Sequence, residues 1–516
     1  MTAVNTYSTL SATCTQLAGL VTTASDRPAR STYAPWDGSL IGEVPVCTAD
    51  DVALAVDTAA RAQASWAALP MSRRCAVVRR FANLVLDHDA EILDLVQAET
   101  GKARMSAFEE LGDVALTAGY YARTAPAHLR PRRRRGLFPV LTRAVEHHQP
   151  KGVVGIIAPW NYPLTLAVSD AIPALLAGNA VVLTPDSQTP FTALLMVRLM
   201  REAGLPEALY QAVTGAGSEL GPEIIARVDY LMFTGSTATG RTVAQQCAER
   251  LIGFSAELGG KNPLLVLDDA DLDRAVEGTV QSCFSNSGQL CISIERVYVA
   301  DALHDAFVAQ MTERVGAMRL GAGRGWDIDM GSLISAEQLA TVTAHVDDAV
   351  AKGATVLAGG RARPDLGPLF SEPTLLTGVT DDMRLAREET FGPVVAVYRV
   401  ADDDEAVARA NDTEYGLNAS VWSRRRGEVV ARRLRAGTVN VNEGYAAAWG
   451  SHDAPMGGMG ASGLGRRHGR EGIHKYTEPQ TIAEQRLMQA APSPLLREER
   501  YVRVMTQAVK LLRWLP

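Results

Sequence analysis

After an irregular start, apolar residues over roughly the first 130 positions recur every three to four residues. Ala and Val positions over 50–63, then Ala76, Val77, Phe81, Leu84, Val85 and Ile92 within 71–100, trace helices with one buried face. At Lys151 the pattern changes. The runs 152–157, 180–183, 209–213 and 230–233 are apolar throughout and too short for helices, so they predict strands covered on both faces. Helical patterns at 164–177, 190–204 and 218–227 separate them. A second alternation occupies 262–441, with strands expected near 263–267, 294–299, 353–357, 394–398 and 437–441. Strands alternating with helices predict two parallel sheets of Rossmann type, with ligands bound beyond the carboxyl ends of the strands.

With 516 residues, 47% of them hydrophobic and 21% charged, the chain can bury two or three domain cores, and disorder is excluded. A net charge of −7 gives no general attraction to nucleic acid. The run Arg130-Pro131-Arg132-Arg133-Arg134-Arg135-Gly136 could hold a polyanion, but an exposed linker or interface face fits the acidic total better. The 6 cysteines form no CxxC pair and no His/Cys cluster at metal-ligand spacing, so reduced thiols and no metal are expected. No Lys or Arg precedes Arg27, and no apolar run reaches the ~18 residues of a membrane span, which predicts a cytoplasmic protein. The tail 493–516 mixes Leu495, Leu496, Val502, Met505, Val509, Leu512, Trp514 and Leu515 with basic residues. Packing against its own subunit or a neighbour is expected there ahead of a membrane surface.

Candidate chemistry sits on the turns. Phe233-Thr234-Gly235-Ser236-Thr237-Ala238-Thr239-Gly240 follows a strand and opens a helix, where bare N–H groups attract a phosphate or merely receive a cap. Gly215-Ala216-Gly217-Ser218 is a second such turn. Cys291 closes Asn286-Ser287-Gly288-Gln289-Leu290-Cys291, a polar turn ill suited to a core cysteine. Glu257 precedes the paired glycines of Glu257-Leu258-Gly259-Gly260-Lys261, and Asn161 stands between the prolines of Pro159-Trp160-Asn161-Tyr162-Pro163 at the end of the first strand.

The motifs at 159–163, 233–240, 257–261 and 288–291 occur in order with Glu389-Thr390-Phe391-Gly392-Pro393, Asn411-Asp412-Thr413-Glu414-Tyr415-Gly416-Leu417 and a glycine-rich stretch at 457–465. Together they resemble the NAD(P)-dependent aldehyde dehydrogenase superfamily over roughly residues 30–485. The resemblance implies two Rossmann-like parallel-sheet domains plus a small β oligomerisation arm. The cofactor-binding domain would comprise 1–131 and 151–257, the catalytic domain 258–450, the oligomerisation elements 132–150 and 475–487, and the tail 488–516. A homodimer or homotetramer follows. By the same resemblance Cys291 is the nucleophile, forming a thiohemiacetal and then a thioester. Asn161 and the Cys291 N–H hold the oxyanion, and Glu257 activates water. A glutamate at 257 also disfavours branches that release a coenzyme A ester. NADP or NAD would be held by Pro159, Trp160, Thr184, Ser187, Gly217, Gly235, Ser236, Leu258, Glu389 and Phe391. Ser236 would meet the pyrophosphate and Glu389 the nicotinamide ribose.

Within the family, 159–188, 251–294 and 439–482 resemble the actinobacterial succinate-semialdehyde dehydrogenase branch. Three departures bear on the ligands. Thr184 stands where the family has a lysine, withdrawing a cation from the adenosine side, while Ser187 replaces a glutamate that repels a 2′-phosphate. Ser169 and Ser285 stand where related enzymes grip the substrate carboxylate with arginines. The substrate candidates are Tyr162, Ser285, Tyr445, Trp449, His452 and Arg467, with Arg467 or His452 left as the anionic anchor. Arg467 attracts a carboxylate if it points inward and is an ordinary surface arginine if it points outward. A neutral aliphatic or aromatic aldehyde is the alternative substrate. Cofactor-free acyl transfer, or a non-catalytic structural or binding protein with a weakened cofactor site, are the alternatives of other classes.

Overall fold

The computed structural model describes residues 2–138, 141–486, 491–494 and 496–514. The chain divides into two compact units, one of Met1–His128 with Pro150–Thr477 and one of Leu129–Gln149 with Glu478–Pro516.

The start that the sequence left irregular is the helix Thr2–Ala18, followed by an antiparallel pair, Ala29–Tyr33 and Leu40–Pro45. Its Ser/Thr/Ala-rich sequence carries little apolar period, and tertiary packing fixes it instead. Cys14 and Leu17 are fully buried, and Gly42 lies so close that a Cβ there would sit 2.8 Å from both Cys14 and Phe191. The helical stretch 50–100 resolves into Ala49–Ala67, Met71–Asp87 and Asp89–Thr100, interrupted at His88. The long helix Arg104–His128 follows.

One sheet has six strands in the order Gly463–Leu464, Gly253–Glu257, Tyr230–Thr234, Val153–Ile157, Ala180–Thr184, Tyr210–Ala212. All neighbours are parallel except the first pair. The register sets Ile157 beside Thr184 and Phe233, and Thr234 beside Glu257, so the strands end abreast. The strand Gly253–Glu257 was not visible in the sequence because its buried positions include Ser255 and Glu257.

The second sheet has seven strands, Thr355–Ala358, Thr374–Thr377, Val394–Val400, Ile294–Ala300, Asn262–Val266, Asn418–Trp422 and Thr438–Val441, antiparallel only at the first pair. Leu265, Tyr298 and Val421 belong to one of its cores and Leu264, Val297 and Val397 to another, as period-two alternation requires of a sheet covered twice.

In the second unit, Arg132–Arg134 and Thr142–Pro150 pair antiparallel, and Thr477–Gln485 pairs with the latter. The Arg-rich run is therefore half strand, its Arg134 paired with Glu146 at 2.6 Å. The tail forms the helix Glu498–Leu512, none of whose residues is buried. Leu495 and Leu515 lie outside the described residues, as do residues 139, 140 and 487 of the proposed oligomerisation elements. Among the described residues no helix is long and apolar enough to cross a membrane.

Candidate active site

Cys291 owes its place to a costly loop. Asn286, Ser287 and Gly288 follow the helix Leu272–Phe284 with φ of 49°, 56° and 69°. Left-handed backbone costs a non-glycine residue about 1 kcal/mol, and only surrounding bonds sustain it. Asn286 N donates to Ser106 Oγ at 3.0 Å, Asn286 Nδ2 donates to the Asn161 and Gln289 carbonyls at 3.1 and 2.9 Å, and Ser287 Oγ donates to the Gly331 carbonyl at 3.1 Å. Glycine is required at 288, where a Cβ would lie 2.1 Å from the Gly392 carbonyl oxygen. Beyond the turn, Asn262 Nδ2 donates to the Cys291 carbonyl at 2.8 Å and to that of Ser293 at 2.7 Å. Cys291 thus precedes the strand Ile294–Ala300. The site uses the carboxyl ends of the six-stranded sheet, as expected, but the amino ends of the seven-stranded one.

Asn161 is stitched to the same loop. Its Nδ2 donates to the Gln289 carbonyl at 3.1 Å, leaving the second N–H, while its own carbonyl accepts from Lys102 Nζ at 2.7 Å. Lys102 pairs with Glu110 at 2.5 Å, both side chains fully buried. The other Glu110 oxygen accepts the N–H groups of Leu164 and Thr165 that open the helix Pro163–Val168. A buried charge is tolerable only when its partners are complete. Here the pair is what aims Asn161.

Two cavities meet at Asn161 and Cys291. One, of about 300 Å³, is lined by Pro159, Trp160, Gly235, Ser236, Glu257, Leu258, Glu389 and Phe391 among others. Seven of the expected cofactor residues are therefore brought together with the catalytic candidates, Trp160 and Phe391 edge-to-face at 5.5 Å. Glu389 accepts from Gly260 N at 2.8 Å, and the buried Lys261–Glu295 pair orders its neighbours, since Glu295 accepts the N–H groups of Thr390 and Phe391. Ser236 caps the helix Thr237–Glu249, accepting from Thr239 N at 3.2 Å. Thr184, Ser187 and Gly217 do not line this cavity. Ser187 borders another with Arg30 and Tyr33, and Gly217 opens the helix Gly217–Ile225.

The second cavity is narrow, about 40 Å³, and is lined by Asp113, Tyr121, Tyr162, Asp170, Trp449, Arg467 and His468 among others. Arg467 points inward. Its guanidinium lies 2.8 Å from Asp170 and donates to Thr234 Oγ1 at 2.7 Å. Ser285 and Tyr445 do not line the cavity. Together with Tyr162 they turn their hydroxyls onto the half-buried Glu109, at 3.2 Å. His452 likewise lies behind it, Nε2 at 3.2 Å from Asp113 and Nδ1 at 2.8 Å from the Gly450 carbonyl, and Ser169 donates to Asp113. Glu109, Asp113, Asp170 and His468 were missed in the sequence, although three acids, 109, 110 and 113, inside one otherwise apolar helical stretch were a visible signal.

Electrostatics follow the burial. Burial, then the nearby Glu257, pushes the Cys291 thiol up to about 12, with Arg467 opposing. Burial raises Glu257 to about 7 against the pull of Arg467 and Lys475, and raises Glu389 to about 8. Asp170 resists its own burial because Arg467 and Lys475 hold its carboxyl well below the usual range. A thiol, an amide donor and a carboxylate of near-neutral affinity for protons thus line one cavity, the constellation of an acyl-transferring nucleophile.

The aldehyde dehydrogenase family model matches residues 21–482. A Mycolicibacterium smegmatis protein, provisionally named succinate-semialdehyde dehydrogenase NADP(+), is 55% identical over 492 residues, 95% of each chain. The Escherichia coli succinate-semialdehyde dehydrogenase NADP(+) is 37% identical over 86% of this chain and 92% of its own. Among solved structures, a Staphylococcus aureus betaine aldehyde dehydrogenase in complex with NAD+ superposes with a TM-score of 0.85 at 32% identity, covering 92% of this chain and 98% of that one. The geometry at Cys291 and the match across nearly the whole length agree, and the chain belongs to the aldehyde dehydrogenase family.

Proposed function

We propose that this chain oxidises succinate semialdehyde to succinate with NADP(+). The observation that carries the reading is the junction at Cys291. One cavity brings Glu257 and Glu389 to it, and the other brings a tunnel whose lining includes Arg467 and His468.

The residues fit a nicotinamide dinucleotide. Glu389 is braced by Gly260, Ser236 heads a helix, and the buried Thr184 Oγ1 has no hydrogen-bond partner of its own. In this reading Glu389 and Phe391 hold the nicotinamide end, Ser236 the phosphates and Thr184 the ribose. A dinucleotide held by these residues would supply the hydride acceptor.

The Cys291 sulfur adds to the aldehyde carbon, the carbonyl π electrons pass to oxygen, and the thiol proton is released to water, which leaves Glu257 ionised for the hydrolytic step. Asn161 Nδ2–H and the Cys291 N–H receive the oxyanion, each donor worth about 3–4 kcal/mol where water is excluded. Once the carbon is oxidised the acyl group remains on sulfur as a thioester. Glu257 then takes a proton from a water molecule that attacks this carbon, and the sulfur leaves and is reprotonated. The domain division given above, a homodimer or homotetramer built on 132–150 and 475–487, and a cytoplasmic location belong to the same proposal. Initial rates over a panel of aldehydes with each cofactor test it, with Cys291→Ala as control. No preference for succinate semialdehyde over neutral aldehydes overturns the substrate, and undiminished turnover by the variant overturns the mechanism.

A further inference from the structure

The side-chain nitrogens nearest the narrow cavity are mostly committed to other partners. Both ring nitrogens of His452 are engaged, by Asp113 and the Gly450 carbonyl, and Arg467 spends its terminal nitrogen on Asp170 and Thr234. Two nitrogens on consecutive residues are left over, one on a guanidinium and one on a ring that burial keeps neutral. Arg467 Nε and His468 Nδ1 are buried, lack any hydrogen-bond partner, and belong to side chains that line this cavity together with Cys291.

His468 is held there deliberately. It has φ of 59°, a left-handed conformation that histidine seldom adopts. The chain is pinned on both sides of it, by Arg467 N donating to the Met456 carbonyl at 2.6 Å and Gly469 N donating to the His452 carbonyl at 2.7 Å. Only 6% of the residue is exposed. A buried polar atom without a partner is costly unless something else satisfies it, and strain of this kind concentrates at binding sites.

We propose that His468, with Arg467 Nε beside it in sequence, is the anchor for the far carboxylate of the substrate. This assignment rests on the proposed oxidation of a short oxo acid. It explains how Ser169 and Ser285 can replace arginines, because the anion is received by other residues that line the narrow cavity. The Asp113, His452 and His468 ligand atoms also lie within 4.8 Å of one another, a spacing a metal ion could use. The anchor reading is favoured because His452 has no ring nitrogen left over.

The test compares kcat/KM for succinate semialdehyde and for butanal, which ends in methyl where the acid has carboxylate. The wild-type ratio is read first, and its failure to favour the semialdehyde overturns the substrate itself. Given that preference, His468→Leu lowers it about 10- to 100-fold, through KM for the semialdehyde, while butanal turnover is kept. His468→Asn, a residue that tolerates the left-handed backbone, gives the same loss should the leucine variant fail to fold. An unchanged ratio, or equal losses on both aldehydes, overturns the anchor. So does loss of semialdehyde turnover on dialysis of the wild type against EDTA, which reassigns the three side chains to a metal.

Discussion

The guanidinium of Arg467 lies 2.8 Å from the Asp170 carboxylate, and both side chains line the cavity that reaches Cys291. Lys475 sits on the other oxygen of Asp170, also at 2.8 Å, and Tyr476 donates to that oxygen at 2.7 Å. The cluster therefore carries two cations against one anion, and the surplus charge falls on Glu257 and Cys291, both of which Arg467 draws toward their ionised forms.

Removing the shared anion strands both cations in a dry site. Asp170→Asn is expected to destabilise the fold by about 3–5 kcal/mol in denaturant titrations. The double variant with Arg467→Leu recovers part of that loss, because Lys475 is then the one charge of the cluster left alone. In Arg467→Leu by itself, Glu257 rises further above its present value of about 7, so the acid limb of the kcat–pH profile moves to higher pH. Additive losses in the double variant would show that the two side chains do not act as a pair.

Glu257 itself makes two predictions of opposite character. Its folded affinity for protons is raised from 4.5 to about 7, so the ionised base is lost, and kcat falls, as pH drops below about 7. For stability the sign is reversed. The protonated carboxyl is the form the buried site prefers, so its contribution is complete below pH 4.5 and is lost as pH rises to about 7. Glu257→Gln, which cannot ionise, is then more stable than wild type at pH 8 by up to about 3 kcal/mol. The same variant gives a single-turnover burst of reduced nucleotide and then stalls about 10²–10⁴-fold below wild type, because the thioester forms but is not hydrolysed. Steady turnover without a burst phase would place the base elsewhere.

How much of this was visible beforehand depended on the kind of residue. Strands such as Val153–Ile157 and Ala180–Thr184 announced themselves because burial on both faces demands apolar runs. Asn418–Trp422, equally buried, did not, because Asn418 and Ser420 spend their polarity on hydrogen bonds across the core. Asn161, Glu257 and Cys291 stood out through the turns that carry them. Glu110 and Asp170 did not, since an acid on a helix looks like a solvated face until Lys102 or Arg467 arrives from elsewhere in the chain. The inward direction of Arg467 depends on Asp170, nearly three hundred residues away, and no local pattern encodes it.

Gly259 tests the cofactor cavity without touching the nucleophile. A Cβ added there would lie 2.3 Å from Glu389 Oε2, while the other carboxylate oxygen is held by Gly260 N at 2.8 Å. Gly259→Ala must therefore push the carboxylate aside. Losing one hydrogen bond to the ribose weakens NADP binding about tenfold, the ~1.4 kcal/mol such a contact is worth. Calorimetric titration of the cofactor reads this directly, and an unaltered Kd would remove Glu389 from the binding surface.

Thr184 offers a test in which two readouts move in opposite directions. The residue is 1% exposed, its carbonyl accepts from Ala158 N at 3.0 Å, and its Oγ1 is buried with no partner. Valine has the same shape and no hydroxyl. In the cofactor-free protein Thr184→Val discards an unsatisfied polar atom, so the fold gains about 1 kcal/mol and the melting temperature rises. If the hydroxyl meets the cofactor ribose, the same variant binds NADP several-fold more weakly, because the ribose loses its partner in a site closed to water. A more stable protein with weaker cofactor binding is the expected pair of results. A more stable protein that binds NADP as tightly as wild type would show that Thr184 serves only the sheet, and that the cation missing from this position is replaced by nothing at 184.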